Sequence, residues 1–187
     1  STVSETGVFS YQPAGGYSGP DSFTVQVDDG TGDTSTTTVY VTVNATPVLT
    51  SLANPANTCY GIAFTYTPVR SPAGTYDWSR DSVVGISNSA GTGSGAVSEL
   101  LMNTDTLPIP VVYVFTMTAN GCVNTASVTD TIIPNLLLNS TLTPPDVCSG
   151  TVFSYVPTSA TPRISFQWNR NPIAGISNGG HTNAFCL

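Results

Sequence analysis

Lysine is absent from this 187-residue chain, and its basic side chains are four arginines and one histidine, set against eleven acidic residues for a formal charge of −7. A surface with so few cations does not neutralise phosphates, which excludes nucleic acid as a partner and removes the attraction to anionic lipid. The same inventory works against catalysis. With His181 the one imidazole, no lysine, no Gly-x-Ser-x-Gly turn and no paired glutamates, neither a Ser-His-Asp relay nor a lysine nucleophile can be assembled, so the chain is expected not to be an enzyme. Long apolar runs are missing too. Nothing approaches the roughly eighteen apolar residues of a spanning helix, and the N-terminus lacks the basic-then-apolar order of a signal peptide, so membrane insertion is not expected and any export signal is expected outside these residues. Strong helix formers are scarce, while Thr, Ser, Val, Gly, Asn and Pro abound, which is the composition of strands joined by turns. The expected class is all-β.

What the chain does have is repetition. The phrase Phe-[Ser/Thr]-Tyr-x-Pro stands at Phe9–Pro13, Phe64–Pro68 and Phe153–Pro157, and the last two copies share their surroundings. Cys59-x-Gly61 precedes the second copy, and Trp78-x-Arg80 and Gly85-Ile86-Ser87-Asn88 follow it; Cys148-x-Gly150, Trp168-x-Arg170 and Gly175-Ile176-Ser177-Asn178 do the same for the third. Cys59 and Cys148 lie 89 residues apart, a spacing that grows to 90 by the tryptophans. A period of that size is one small domain per repeat rather than one enzyme core.

Three units follow. Residues 1–45 read as three strands, Gly7–Pro13, Asp21–Asp28 and Thr36–Val43, with a turn-rich hairpin at Asp28–Asp33. Three strands bury too little to close a sandwich, so strands preceding Ser1 are expected to complete it. After the extended linker Asn44-Ala-Thr-Pro47, residues 46–134 read as a complete domain. Its expected strands are Val48–Leu52, Ile62–Tyr66, Tyr76–Arg80, Ser98–Asn103, Val111–Thr118 and Ala126–Ile133, with turns at Ser71–Gly74, Ser87–Gly95 and Ala119–Gly121. Along Val111–Thr118 the residues Val112, Val114, Thr116 and Thr118 alternate with Tyr113, Phe115 and Met117, two faces between which the sequence does not choose. Residues 135–187 open the next repeat. The chain is therefore expected to begin and end inside a module, as a fragment of a much longer polypeptide would.

The pattern Cys-x-Gly-x-x-Phe-[Ser/Thr]-Tyr-x-Pro, then Trp-x-Arg, Gly-Ile-Ser-Asn and Tyr113-x-Phe115-x-Met-Thr-Ala-Asn-Gly-Cys122, resembles the PKD-like repeats of very large Bacteroidota surface proteins, including gliding-motility adhesins exported by the type 9 system. That resemblance covers residues 46–187. Gly15–Phe23, Val27–Gly30 and Val39–Val43 look like the second half of a cadherin-like module from bacterial tandem arrays. Together the resemblances imply tandem Ig-like or PKD-like β-sandwich modules, the first and last incomplete, forming a stalk or adhesin at the cell surface. The implied partners are neighbouring repeats of the same polypeptide, with surface glycans or other surface proteins engaged elsewhere in the parent chain. Neither family brings a catalytic set.

Candidate sites are few. Cys59 and Cys122 flank Trp78 in the order Cys…Trp…Cys of the inter-sheet disulfides of Ig-like sandwiches, although at longer intervals than antibody domains show. A Cys59–Cys122 bond is expected, contributing about 4 kcal/mol in the chain-entropy model; two free buried thiols are the alternative. Cys186 aligns with Ala96, so Cys148 has no counterpart of Cys122. Asp28, Asp29 and Asp33 are close enough in sequence to converge on calcium, against the plainer reading of a solvated Asp-Gly hairpin. Ser82, Thr106 and Thr131 each sit in an Asp-[Ser/Thr]-aliphatic triplet, the signature associated with O-glycosylation in Bacteroidota. The recurring aromatics Phe9, Tyr11, Phe64, Tyr66, Phe153 and Tyr155 read as core, leaving Tyr17, Tyr60 and Tyr76 as candidates for a sugar platform. Trp78-x-Arg80 reads as an indole beside a guanidinium at a sheet edge. The leading function is a structural and adhesive stalk; the alternatives are a carbohydrate-binding module and a filament subunit completed by strands from neighbouring chains.

Overall fold

The computed structural model describes residues 2–3, 9–162 and 164–176, and every regular element among them is a strand. The first unit holds β1 (Thr2–Val3), β2 (Phe9–Ser10), β3 (Gly19–Asp28) and β4 (Thr34–Val43). β3 and β4 form an antiparallel hairpin that pairs Gly19 with Val43 and Asp28 with Thr34. β1 pairs with β2, and the Phe9 ring stacks on Phe23 at 3.9 Å.

The central unit holds β5 (Val48–Leu49), β6 (Phe64–Tyr66), β7 (Arg70–Ser71), β8 (Thr75–Arg80), β9 (Gly91–Ser94), β10 (Val97–Glu99), β11 (Ile109–Ala119) and β12 (Cys122–Ile132). One layer is the antiparallel sheet β12-β11-β8-β9; the other is made of the pairs β10-β6 and β5-β7. Buried Pro68 separates β6 from β7, since proline donates nothing to a ladder. The chain also changes layers early. β5 pairs with β7, yet beyond it the Ala53 carbonyl accepts from Thr129 and Thr58 bridges Ile132 in parallel, so residues 53–58 run along the free edge of β12 and cover it. This is an all-β, Ig-like sandwich.

β11 is the spine of the core. Val111, Tyr113, Phe115, Met117 and Ala119 are buried, while Val112, Val114 and Thr116 face outward, which settles the choice that alternation alone leaves open. The opposite layer supplies Phe64, Tyr66 and Val97, and the rings interlock: Phe64 lies 5.1 Å from Tyr113, Tyr66 5.5 Å from Phe115, and Trp78 meets Tyr113 edge-on at 5.7 Å. Each such side chain contributes about 1.5–3 kcal/mol by burial, before the aromatic geometry adds to it. The β11–β12 hairpin turns through Asn120 and Gly121, both at positive φ (48° and 80°), the two-residue turn that Asn-Gly favours.

Several elements differ from the sequence expectation: β7 is an added strand, and the expected strands Val48–Leu52 and Ser98–Asn103 shorten to Val48–Leu49 and Val97–Glu99. Residues 87–95, read as a turn, contain β9, whose glycines hide a strand. A Cβ on Gly93 would lie 2.8 Å from the Trp78 ring, and one on Gly91 2.8 Å from Glu99 Oε1, so the inward positions of β9 are vacant because Trp78 and Glu99 fill them. The repeated Gly85-Ile86-Ser87-Asn88 leads into this segment and is tied to residues 100–104. Ile86 enters the core and bridges Asn103; the Gly85 carbonyl accepts from Thr104; the Asn88 side chain donates to the Leu100 carbonyl and accepts from the Met102 amide. The amide of one side chain thus completes a ladder that the backbone leaves unmade.

The third unit reproduces the local geometry of the second. Tyr66 donates to the Leu52 carbonyl at 2.9 Å and shares a 2.7 Å bond with Ser51; Tyr155 does the same with Thr141 and Ser140 at the same distances. Leu138 bridges Ser159 as Leu49 pairs with Arg70, and both repeat cysteines open the same turn, with Ile62 and Thr151 donating to their carbonyls at 3.1 Å. Phe153 and Trp168, however, are 51% and 67% exposed, because no strand among the described residues covers that face. The core reading of the recurring aromatics therefore holds for Phe64 and Tyr66 and is corrected for Phe153 and Tyr155.

Candidate functional site

The best-built polar contact between units lies where the linker enters the central sandwich. The tip of the β11–β12 hairpin reaches back over residues 44–47. Asn44 Nδ2 donates to the Asn120 carbonyl at 2.9 Å, Asn124 Nδ2 donates to the Pro47 carbonyl at 2.9 Å, and Cys122 Sγ lies 3.7 Å from the Asn44 carbonyl. Pro47 is fully buried beneath them. Its pyrrolidine fixes φ and holds Thr46 extended, so the linker arrives as a straight segment with its carbonyls presented to the hairpin. Chemically the site is a clamp on backbone, and its one nucleophilic group is the Cys122 thiol.

A second polar cluster sits inside the core. Arg80, at the end of β8, donates through Nε to Glu99 Oε2 (2.8 Å) and through Nη2 to Oε1 (3.1 Å), and its remaining hydrogens reach the Asp81 and Ser89 carbonyls. The Tyr113 hydroxyl donates to Glu99 Oε2 at 2.7 Å. Burial pushes the Glu99 carboxyl upward, but Arg80 and Tyr113 together hold it below the usual range; burial and Glu99 push the Tyr113 phenol far up, and Glu99 raises Arg80. This corrects the edge-lying guanidinium read from Trp78-x-Arg80: the partner is a carboxylate and the pair is enclosed. The cation–π contact of this unit belongs to Arg70, 4.6 Å above the Tyr76 ring.

Asp130 on β12 is buried with neither carboxylate oxygen hydrogen-bonded. Desolvation raises its pKa, and the nearby Thr58 and Thr131 donors offset only part of it.

The expected disulfide is corrected. Cys59 and Cys122 are free thiols. Cys122 begins β12, whereas Cys59 follows Thr58, whose backbone bonds to Thr131 and Ile133 at the other end of that strand. Ten residues of extended chain separate the two ends by roughly 34 Å, far beyond the reach of a disulfide. Cys148 is an exposed free thiol; Cys186 and His181 lie outside the described residues.

The three candidate calcium ligands do not converge. Asp28 Oδ1 accepts from Gly30, and Asp29 from Thr31 and Asp33, so these carboxylates satisfy the turn's own donors; no group of three side chains able to hold a metal occurs among the described residues. Ser82 and Thr106 sit exposed outside the strands, while Thr131 lies within β12, paired with Pro110 and beside buried Asp130. Tyr17 bonds the Pro20 carbonyl in the first unit, Tyr76 pairs with Met117 near the linker end of the sandwich, and Tyr60 follows Cys59 at the opposite end, so the three rings form no common platform. A hollow of about 450 Å³ on the outer face of β8 and β9 is lined by Asp77, Ser79, Thr92, Ser94 and Thr116, beside Trp78 and Gly93, with one carboxylate and no second titratable group among its lining residues. Among the described residues no helix is long and apolar enough to cross a membrane.

Sequence reasoning missed the clamp, Glu99 and Asp130. Asn44, Asn120 and Asn124 carry no spacing that joins them before the fold does, and Glu99 is an isolated carboxylate in sequence; a lone acid on the apolar face of Val128-x-Asp130-x-Ile132 was the one available signal for Asp130.

No curated protein and no solved structure matches the chain. Residues 1–42 match the family model for a bacterial Ig domain, so the first unit is similar to an Ig-like repeat.

Proposed function

We propose that this chain is a segment of a surface-displayed tandem array, a structural and adhesive stalk that spaces a distal binding element from the cell and performs no catalysis. The observation that carries the reading is the clamp: the hairpin tip of one sandwich grips the linker arriving from the preceding unit at Asn44 and Pro47. A module built to hold its neighbour's chain is a spacer with restricted bend. The close local repetition at an 89-residue offset and the bacterial Ig match over residues 1–42 support the same reading. An extracellular location, export by the type 9 system and a part in gliding motility are the finer content of the proposal. Glycans on exposed Ser82 and Thr106 would fit such a surface.

The test is mechanical. Pulled by its ends, a tandem of residues 46–134 is expected to unfold one module at a time, each event releasing a contour of about 300 Å less the folded span. Saturable binding of a glycan that is abolished by changing Tyr17, Tyr60 or Tyr76 would replace the stalk with the carbohydrate-binding reading. The strand-exchange reading draws on one observation, the exposed Phe153 and Trp168 face; its occupant would be a hairpin patterned like β11–β12 from another chain.

A further inference from the structure

We infer that the repeat cysteines form a staple between successive modules, Cys59 of one bonding to the hairpin-tip cysteine of the next, rather than a bond within a module. The inference rests on the tandem-array reading and deepens it.

The two thiols of the central sandwich occupy opposite ends of β12, so each belongs to a different junction. Cys122 stands at the entrance, with its sulfur 3.7 Å from the carbonyl of Asn44. Cys59 stands exposed at the exit, one residue after Thr58, whose carbonyl accepts from the Ile133 amide at 2.9 Å. The third unit repeats the second at an offset of 89, and Leu138, which bridges Ser159 as Leu49 pairs with Arg70, fixes that register five residues after Ile133. The offset carries Asn44 onto Ile133. A following module that keeps the hairpin therefore sets its counterpart of Cys122 against the carbonyl of Ile133, the residue whose amide is already bonded beside Cys59. Both thiols are thus placed at one linker residue, Cys59 beside the partner of its amide and the following module's cysteine at its carbonyl.

Residues 1–45 contain no cysteine, and Cys59 and Cys122 are both free. Cys148 opens the same turn as Cys59, its carbonyl accepting from the Thr151 amide. Bond formation is an oxidation of two thiols. A small-molecule disulfide is the oxidant: the first thiolate displaces one of its halves to form a mixed disulfide, the second thiolate displaces the other, and one S–S bond is exchanged for another with two small thiols and their protons released. An oxidising extracellular setting supplies such disulfides.

The central module closes its own core, so a tandem of residues 46–134 fused to a second 46–134 preserves the 89-residue offset. In the junction variant, Cys122→Ser in the leading copy and Cys59→Ser in the trailing copy leave only the facing thiols. In the outer variant the opposite substitutions leave only the distant pair. After equilibration with oxidised and reduced glutathione, the junction variant is expected to lose the mass of two hydrogens as a monomer and to resist alkylation, while the outer variant keeps both thiols reactive. A junction variant that stays reduced, that links only between chains, or that closes no faster than the outer variant overturns the inference. Cooperative unfolding followed by Trp78 fluorescence confirms that both variants are folded, and scattering from the tandem with all cysteines replaced separates the two readings. An extended particle with unlinked thiols removes the staple alone; modules that tumble independently remove the array as well.

Discussion

Arg80 and Glu99 meet through two parallel hydrogen bonds inside the sandwich, joining the end of β8 to the end of β10 across the two layers. The arginine side chain is 1% exposed and the glutamate 19%, and Tyr113 closes the carboxylate's third side. Such a pair costs more to break than it gains by existing, because removing one partner strands the other in a low dielectric.

Glu99→Ala is therefore expected to destabilise the 46–134 module by about 3–5 kcal/mol, while Arg80→Met combined with Glu99→Leu recovers most of that loss. Urea unfolding of the three variants measures both. If the single and double variants were equally unstable, the pair would be contributing through packing alone.

Stability against pH carries two opposed signatures. Glu99 is held low in the folded state, so its contribution is complete above the unfolded carboxylate pKa and is lost as pH falls through the folded one. Asp130 is held high, so its folded form retains a proton that the unfolded chain releases; its contribution is complete below the unfolded pKa and is lost as pH rises through the folded one. Asp130→Asn is expected to remove that alkaline-going loss and to make the protein more stable than wild type at neutral pH. Equal pH slopes in the two proteins would show that Asp130 finds a donor in solution.

Gly93→Val places a side chain where the Trp78 indole lies, 2.8 Å from the new Cβ. Overpacking of this kind costs about 1–3 kcal/mol, and Trp78 emission is expected to shift red as the ring is displaced into water. Thr92→Val, one residue away on the outer face, is expected to stay within about 0.5 kcal/mol of wild type. Similar losses at both positions would contradict the inward register of β9.

Asn124→Ala removes one of the two amides that grip the linker. The loss of a single neutral hydrogen bond is expected to cost about 1 kcal/mol, and the larger readout is angular: spin labels on β4 and β12 should report a broader distance distribution between the first and central units. An unchanged distribution would mean that buried Pro47 alone sets the angle.

The sequence by itself determined the all-β class, the period near 89 residues, the linker at 44–47 and most strands of the central module, because alternation, turn residues and repeated phrases are local signals written within a few residues of where they act. It also placed Phe64 and Tyr66 as candidates for the core. It did not choose between the two faces of β11, recognise β9 beneath its glycines, or find Glu99 as the partner of Arg80, since each depends on what lies across the sandwich. The cysteines mark the boundary most clearly. Their order around Trp78 suggested a bond within the module, but order along the chain says nothing of which end of a strand a residue occupies. Only the tertiary structure decided that: the parallel run of residues 53–58 along β12 carries Cys59 to the exit of the sandwich, while the Asn120–Gly121 turn holds Cys122 at the entrance.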